Sequence, residues 1–293
     1  MADFVLAVHG GAGTPRKGLD EPRFHRGLAE ALRAGHTILA RGGSAVDAVQ
    51  AAVVALEDDP IFNAGRGAVL NEPGEVEHDA ALMCGRTKQA GAVAAVTGVR
   101  HPIRLAREVF EEGRHVFIVG DGAEAFADER GLERVDADYH RTGQPADSWK
   151  QVAGDTVGAV ALDAAGALAA ATSTGGIRGK RPGRVGDCPV IGAGTWADTH
   201  CAVSASGEGE AIMRAAAAHD ISRLVAYKGL PLDDACDKVV HDTMEGEIGV
   251  IAVDRSCEVA LPFNCGVFHR GVVYEDGAPL TAVGPGEPTA FVS

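Results

Sequence analysis

Residues 154–163 read GDTVGAVALD. A Gly-Asp pair leads into Thr156, which opens an apolar run with the length and composition of a buried strand. Thr favours strands and Asp favours turns, so an isolated Asp-Thr step is an ordinary loop-to-strand boundary. What precedes it changes the weight. Residues 131–153 (GLERVDADYHRTGQPADSWKQVA) lose apolar periodicity and read as a flexible loop or linker, long enough to call for a reason. A strand-anchored threonine after such a loop can aim its hydroxyl at the preceding carbonyl. Breaking that bond frees an α-amine with a pKa near ~8, a base for threonine chemistry that needs no histidine.

Outward from Thr156 the chain alternates strands with pairs of helices. VGAVAL (157–162) and ALAAAT (167–172) flank the turn DAAG, and IGVIAVD (248–254) and EVALPF (258–263) flank RSC, two apparent hairpins. Toward the N-terminus, DFVLAV (3–8) reads as a strand ending in the glycine-rich loop HGGAG (9–13). Phe24, Leu28, Leu32 and Leu39 are spaced for a helix over 21–39. Ser44 with Asp47 starts a second helix, whose buried stripe is Val46, Val49, Val53 and Leu56. Strands follow around 76–83 and 90–97, then a helix over 102–112, the strand HVFIVG (115–120) and a helix near 121–130. Beyond the first hairpin lie a polar loop (174–187), a strand at 199–205 and helices near 208–228 and 231–244. Periodicity alone leaves a doubly wound α/β fold open. The hairpins favour a single α+β domain over 1–293, a four-layer αββα sandwich with two central, mainly antiparallel sheets.

Bulk properties narrow the partners. With 41 acidic and 27 basic residues the net charge is −14, which argues against nucleic acid or an anionic membrane as the main partner and says little about a small-molecule substrate. MADFVLAVHGG lacks a basic n-region, and its apolar run is too short for an export signal or a membrane span. The six cysteines form no C-x-x-C pair, as expected of free thiols in a cytoplasmic protein.

Several common signatures fail. GAGTWA (192–197) matches a loose dinucleotide fingerprint, but the strand-like DTHCAVSA follows it where a helix is required. HExxH and G-x-S-x-G are absent, and the eleven histidines are scattered. Hydroxyls and glycines remain. Thr174 ends the strand paired with that of Thr156, so the two could meet across the hairpin. Ser206-Gly207-Glu208-Gly209-Glu210 passes from strand to helix, where backbone amides and a hydroxyl would serve an oxyanion. Arg184 and Asp187, three apart in PGRVGD (182–187), suit the α-carboxylate and α-amine of an amino acid, or else form a salt bridge that orders the loop.

VHGGAGT (8–14), FNAGRG (62–67), GDTVGAVALD (154–163), ATSTGG (171–176), PGRVGD (182–187), GAG (192–194) and PFN (262–264) occur in this order. Together they resemble the plant-type L-asparaginase/isoaspartyl peptidase family of N-terminal nucleophile hydrolases, over about residues 5–275. The resemblance implies the αββα sandwich, autocleavage into an α chain (1–155) and a β chain (156–293), and a dimer of such αβ units. It makes Thr156 the nucleophile and Thr174 the hydroxyl that orders its amine. Ser206 and the Gly207 amide become the oxyanion site, and Asn63 helps to hold the nucleophile region. Arg184, Asp187, Gly207 and Gly209 would bind substrate, and Asp155, Thr156 and Gly11 would take part in autocleavage. A sodium loop falls on 56–66, with the carbonyls of Leu56, Glu57, Asp59, Phe62, Ala64 and Arg66 as ligands, oxygens that suit a hard cation.

The implied reaction is hydrolysis of the β-amide of L-asparagine and of β-aspartyl dipeptides, with no cofactor for catalysis. Alternatives are a glycosylasparaginase or threonine-endopeptidase relative, or a non-catalytic amino-acid-binding homologue. The sequence departs from the family pattern at Ser206, where Thr is usual, at Cys84, where Asp is common, and at FNCGVFHRG in place of FNTEGMYR. Ser206 bears on oxyanion geometry; the other two bear on substrate preference.

Overall fold

The computed structural model describes residues 4–15, 20–141 and 156–290. In chain order the elements are β1 (Val5–Gly13), α1 (Glu21–Leu39), α2 (Ala45–Asp58), β2 (His78–Cys84), β3 (Ala90–Val96), α3 (Pro102–Glu112), β4 (Phe117–Val119), α4 (Gly120–Glu129) and α5 (Ala137–His140). After Thr156 come β5 (Val157–Leu162), β6 (Leu168–Thr174), β7 (Thr195–Ala197), β8 (Cys201–Gly207), α6 (Gly209–Ala215), α7 (Ala217–Lys228) and α8 (Leu232–Asp237). β9 (Ile248–Asp254), β10 (Val259–Ala260), β11 (Val267–Tyr274), β12 (Leu280–Val283) and β13 (Thr289–Ala290) complete the chain. No helix among the described residues is long and apolar enough to cross a membrane.

The strands form two sheets. The larger has the order β13-β12-β11-β1-β5-β6-β2-β3-β4 and the smaller β10-β9-β8-β7. All pairings are antiparallel except β3 with β4. Both expected hairpins form, β5 with β6 and β9 with β10. α1, α2, α3 and α4 bury Leu28, Leu32, Val49, Val53, Ile103, Val109 and Ala123 with Leu6, Leu82 and Ala159 of the larger sheet. α7 and α8 bury Ile221, Leu232 and Ala235 with Val203, Ala205 and Val250 of the smaller. Between the sheets lie Val5, Ala7, Val160 and Ala170 from one and Ala202, Ile251 and Val253 from the other. Small side chains dominate this interior, which is where the Ala- and Val-rich composition is used.

Local chemistry explains the helix starts. Asp20 accepts from the Arg23 amide at 3.1 Å and Ser44 from the Asp47 amide at 3.1 Å, side-chain caps on the first free N–H groups. The helix expected over 208–228 is broken at Ala216, whose φ is +48°. The Ala218 and His219 amides donate instead to the carbonyls of Ala193 and Gly192, so the GAG loop satisfies the start of α7. The helix expected over 231–244 is α-helical only to Asp237 and continues as a π-helical stretch over Lys238–Thr243.

Three further expectations change. β1 continues through HGGAG to Gly13, with a register irregularity between His9 and Gly11, so these residues are strand rather than loop. Within the stretch expected to be a linker, residues 131–141 are ordered and contain α5. Tyr139 donates to Asp58 at 3.2 Å, and the His140 Nδ1 lies 3.0 Å from the Gly65 carbonyl. Residues 142–155, with Asp155 among them, lie outside the described residues. Finally, β11 was not anticipated because buried polar residues interrupt its apolar pattern. Arg270 is buried by donating to the carbonyls of Phe268, Gly284 and Gly286, and His269 stacks on Phe24.

Candidate active site

Thr156 is buried at the start of β5, a central strand of the larger sheet. The register Val157↔Ser173 carries Thr156 opposite Thr174, and the Thr156 hydroxyl donates to Thr174 Oγ1 at 3.2 Å. Thr174 Oγ1 also accepts from the Gly176 amide at 2.9 Å, which fixes its rotamer. Asn63 holds this turn from the loop after α2. Its side chain donates to the Gly176 carbonyl at 2.7 Å and accepts from the Val69 amide at 2.8 Å, and its carbonyl accepts from the Gly175 amide. Asn63 thus positions Thr174.

Ser206 arrives from the smaller sheet at the end of β8. Its Oγ lies 3.4 Å from Thr156 N and accepts from the Ala12 amide at 3.1 Å. The two hydroxyls meet different atoms of Thr156. Thr174 contacts the Thr156 oxygen, and Ser206 contacts its nitrogen. Gly11, with φ +113°, sits in the β1 irregularity just before Ala12, a conformation that L side chains rarely adopt. Gly207 has φ +147°, and a Cβ there would collide with the Glu247 carbonyl. The PFN motif supports this arrangement. Asn264 accepts from the Ile248 amide at 2.7 Å and donates to the carbonyls of Val240 and Gly246, fixing the strand start that pairs with Gly207.

The clamp residues converge on Gly209. A Cβ placed there would lie 2.8 Å from Asp187 Oδ1 and 2.9 Å from Arg184 Nη2, so both side chains border this backbone position. Arg184 and Asp187 do not pair with each other. Arg184 donates through Nε and Nη2 to the two carboxylate oxygens of Glu210, at 2.9 and 2.8 Å. Asp187 is buried and its Oδ2 has no hydrogen-bond partner. Burial, with Asp79 and Glu210 nearby, raises its pKa from 3.8 to about 7, against the opposing influence of Arg184. A buried carboxylate so poorly satisfied is suited to receive a cation. Asp79, opposite Thr174 on β2, accepts from the Gly186 amide at 3.3 Å and ties the 182–187 loop to the strand end that holds Thr174. Glu77 accepts from the Gly183 amide at 2.9 Å, and Lys180 donates to the Glu77 carbonyl at 3.0 Å. Glu210, Asp79, Glu77 and Lys180 were missed by the sequence reading, although Glu210 lies inside the quoted SGEGE stretch.

No charged histidine serves Thr156. His9 packs near it on β1, bonded to Ser204 at 2.9 Å, and burial lowers its pKa to about 3. In the 56–66 loop the side chains of Glu57 and Asp59 are engaged elsewhere. Glu57 accepts from Ser173 Oγ at 2.6 Å and from the Ile103 amide at 3.0 Å, and Asp59 pairs with Arg23. The loop thus offers carbonyl oxygens. Those of Leu56, Asp59 and Ala64 each accept one backbone N–H and retain a second lone pair. Glycines at 65 and 67 let the backbone pass close to the Glu57, Pro60 and Phe62 carbonyls, neutral oxygens of the kind a hard cation takes.

Cys84 lies far along β2 from Asp79. It pairs with Ala169 at the far end of β2, five residues beyond Asp79, or roughly 17 Å along the strand.

A threonine at a strand start, two hydroxyls on its oxygen and nitrogen, and an arginine and an aspartate around one glycine thus lie together on a two-sheet α+β fold. The family model described as Asparaginase matches residues 2–155 and 150–283, and the chain belongs to that family. It is 44% identical to an isoaspartyl peptidase of Salmonella typhimurium, covering 97% of this chain and 99% of that protein. It is 43% identical to an isoaspartyl peptidase of Escherichia coli, covering 97% of each. A human isoaspartyl peptidase/L-asparaginase is 43% identical over 86% of this chain and 87% of its own length.

Proposed function

We propose that the protein is an amidohydrolase that cleaves the β-amide of L-asparagine and of β-aspartyl dipeptides with Thr156 as nucleophile. The observation that carries this reading is the buried, under-partnered Asp187 beside Arg184, joined through Asp79 and Gly186 to the strand end that holds Thr156 and Thr174. Arg184 receives the α-carboxylate and Asp187 the α-ammonium, which turns the side-chain amide toward Thr156.

Maturation comes first. Thr156 Oγ attacks the Asp155 carbonyl carbon, the C–N bond breaks as the nitrogen takes a proton, and water hydrolyses the resulting ester. Chains 1–155 and 156–293 result, and Thr156 N becomes an amine. In turnover that amine takes the Thr156 hydroxyl proton as Oγ attacks the amide carbon. The Ser206 hydroxyl and Gly207 amide stabilise the oxyanion. Ammonia or the peptide amine leaves with the proton, and water releases aspartate from the ester.

The finer architecture belongs to the same reading. Helices on the outer faces of two facing sheets support an αββα sandwich of the N-terminal nucleophile hydrolases, and the family supports a dimer of αβ units. All six thiols are free, which suits a reducing cytoplasm. The 56–66 carbonyls would hold a sodium ion that stiffens the loop bearing Asn63; exchanging sodium for choline chloride should lower the unfolding temperature.

Intact-mass analysis of mature protein should show a second fragment beginning at Thr156, and Thr156→Ala should remain one inactive chain. Asparagine, isoaspartyl-Leu and GlcNAc-Asn assayed side by side separate the proposal from a glycosylasparaginase, which would prefer the last. Binding of L-aspartate without turnover of any of them would mark a non-catalytic homologue.

A further inference from the structure

We infer that Glu210 is a positioning residue that sets substrate affinity by holding Arg184 on one edge of its guanidinium. The inference rests on the reading of Arg184 and Asp187 as an amino-acid clamp. A guanidinium can offer two parallel donors along its Nε/Nη2 side or across its Nη1/Nη2 end. Glu210 takes the Nε/Nη2 side with both carboxylate oxygens, at 2.9 and 2.8 Å. The end of the fork remains for a second carboxylate. Its Nη1 lies 2.7 Å from the Cβ position of Gly186, and its Nη2 2.9 Å from that of Gly209. The guanidinium is therefore wedged between two glycines and pinned at its side.

An unpinned arginine has many rotamers, and ordering it on each binding event weakens binding. The Glu210 carboxylate removes most of that freedom before substrate arrives. Glu210 is half-exposed and Arg184 largely buried, with side-chain exposures of 45% and 16%. The Glu210 carboxylate is thus partly solvated while it holds Arg184.

Glu210 has a second, electrostatic effect. Asp187 faces Arg184 and Cys188 from its own loop, Asp79 from β2 and Glu210 from α6, with Lys180 beyond Asp79. Removing the Glu210 charge both deletes a negative neighbour of Asp187 and leaves Arg184 unneutralised. Each change favours the ionised Asp187. The acid limb of kcat/KM should therefore move to lower pH, even as KM at neutral pH rises. A merely structural role for Glu210 gives no such opposed pair.

The test uses mature wild type, Glu210→Ala and the isosteric Glu210→Gln. It reads kcat and KM for asparagine and isoaspartyl-Leu, pH profiles, and L-aspartate binding by calorimetry. Glu210→Ala should raise KM and the aspartate Kd about five- to tenfold, with Glu210→Gln less affected and kcat within threefold of wild type. Both should shift the acid limb down by up to about one pH unit. Unchanged KM with an unmoved acid limb would overturn the inference, as would a loss confined to kcat. A lowered KM would also overturn it, because Glu210 would then be a competitor for Arg184. If wild type hydrolyses neither substrate, the functional reading fails; aspartate binding by the three proteins still decides the role of Glu210.

Discussion

Replacing Asp187 by Asn should stabilise the protein above neutral pH while abolishing its recognition of amino acids. Burial first, and then Asp79 and Glu210, raise the Asp187 pKa from 3.8 to about 7. Such a shift, at about 1.4 kcal/mol per unit, amounts to roughly 4 kcal/mol as an upper bound. The sign follows from linkage. A carboxyl whose folded pKa exceeds its unfolded value contributes stability that is complete below pH ~4 and is lost as pH rises through about 7. Asn has no proton to lose and so keeps that stability at pH 8. Relaxation of the site reduces the gain to about 2 kcal/mol, or a rise of several degrees in unfolding temperature. Thermal unfolding of wild type and Asp187→Asn at pH 5 and pH 8 reads the effect, because the other titrating groups cancel in the comparison. The variant's advantage should be clearly larger at pH 8 than at pH 5, and L-aspartate binding at pH 8 should fall at least about 100-fold. Wild-type kcat/KM should decline as pH is lowered through about 7. An equal stability difference at both pH values, or a wild type favoured at pH 8, would refute the reasoning.

Ser206→Ala should lower kcat by about 100-fold or more, the scale for losing one oxyanion donor, with little change in KM. It should also slow autocleavage, because Ala12 N–H and Thr156 N lose the oxygen at 3.1 and 3.4 Å; near-normal kcat would leave the oxyanion to Gly207 alone. Ser206→Thr should retain activity. Gly209→Ala inserts a methyl group 2.8 Å from Asp187 Oδ1 and 2.9 Å from Arg184 Nη2, and steady-state kinetics should show KM raised at least about tenfold. A wild-type KM in that variant would remove Gly209 from the clamp.

What was legible in the sequence followed its periodicity and its motifs. α1, α2 and α3 and the two hairpins have strong apolar patterns, and their expected limits hold to within a few residues. β11 was hidden because Arg270 and His269 are buried through partners remote in sequence, the Gly284 and Gly286 carbonyls and the Phe24 ring. The break at Ala216 was hidden for the same reason, since the carbonyls of Gly192 and Ala193 compete for the α7 amides. At the site, motif order gave Thr156, Thr174, Arg184 and Asp187. It could not show that Arg184 pairs with Glu210 rather than with Asp187, since that choice depends on the path of the clamp loop past β2 and α6. Nor could it show that Cys84 faces away from the chemistry, which follows from strand register alone.

The placement of Thr156 also explains how a chain could be cut at the middle of its largest sheet and stay folded. β5 is paired on both sides, with β1 from His9↔Gly158 to Val5↔Leu162 and with β6 from Val157↔Ser173 to Leu162↔Leu168. These pairings begin after the Asp155–Thr156 bond, so the strand would keep its ladder if, as proposed, that bond were broken. The contacts that fix Thr156 itself, from Thr174 Oγ1 and Ser206 Oγ, come from two different sheets and also lie on the C-terminal side of that bond. On the other side of the bond, α5 is anchored by Tyr139 to Asp58 and by His140 to Gly65, so the preceding chain keeps its own attachment. The β1–β5 and β2–β6 ladders also join the two sides across the cut, so neither side depends on the peptide bond between them. Thr156 could then gain a free amine without any hydrogen bond of the β5 ladders being given up.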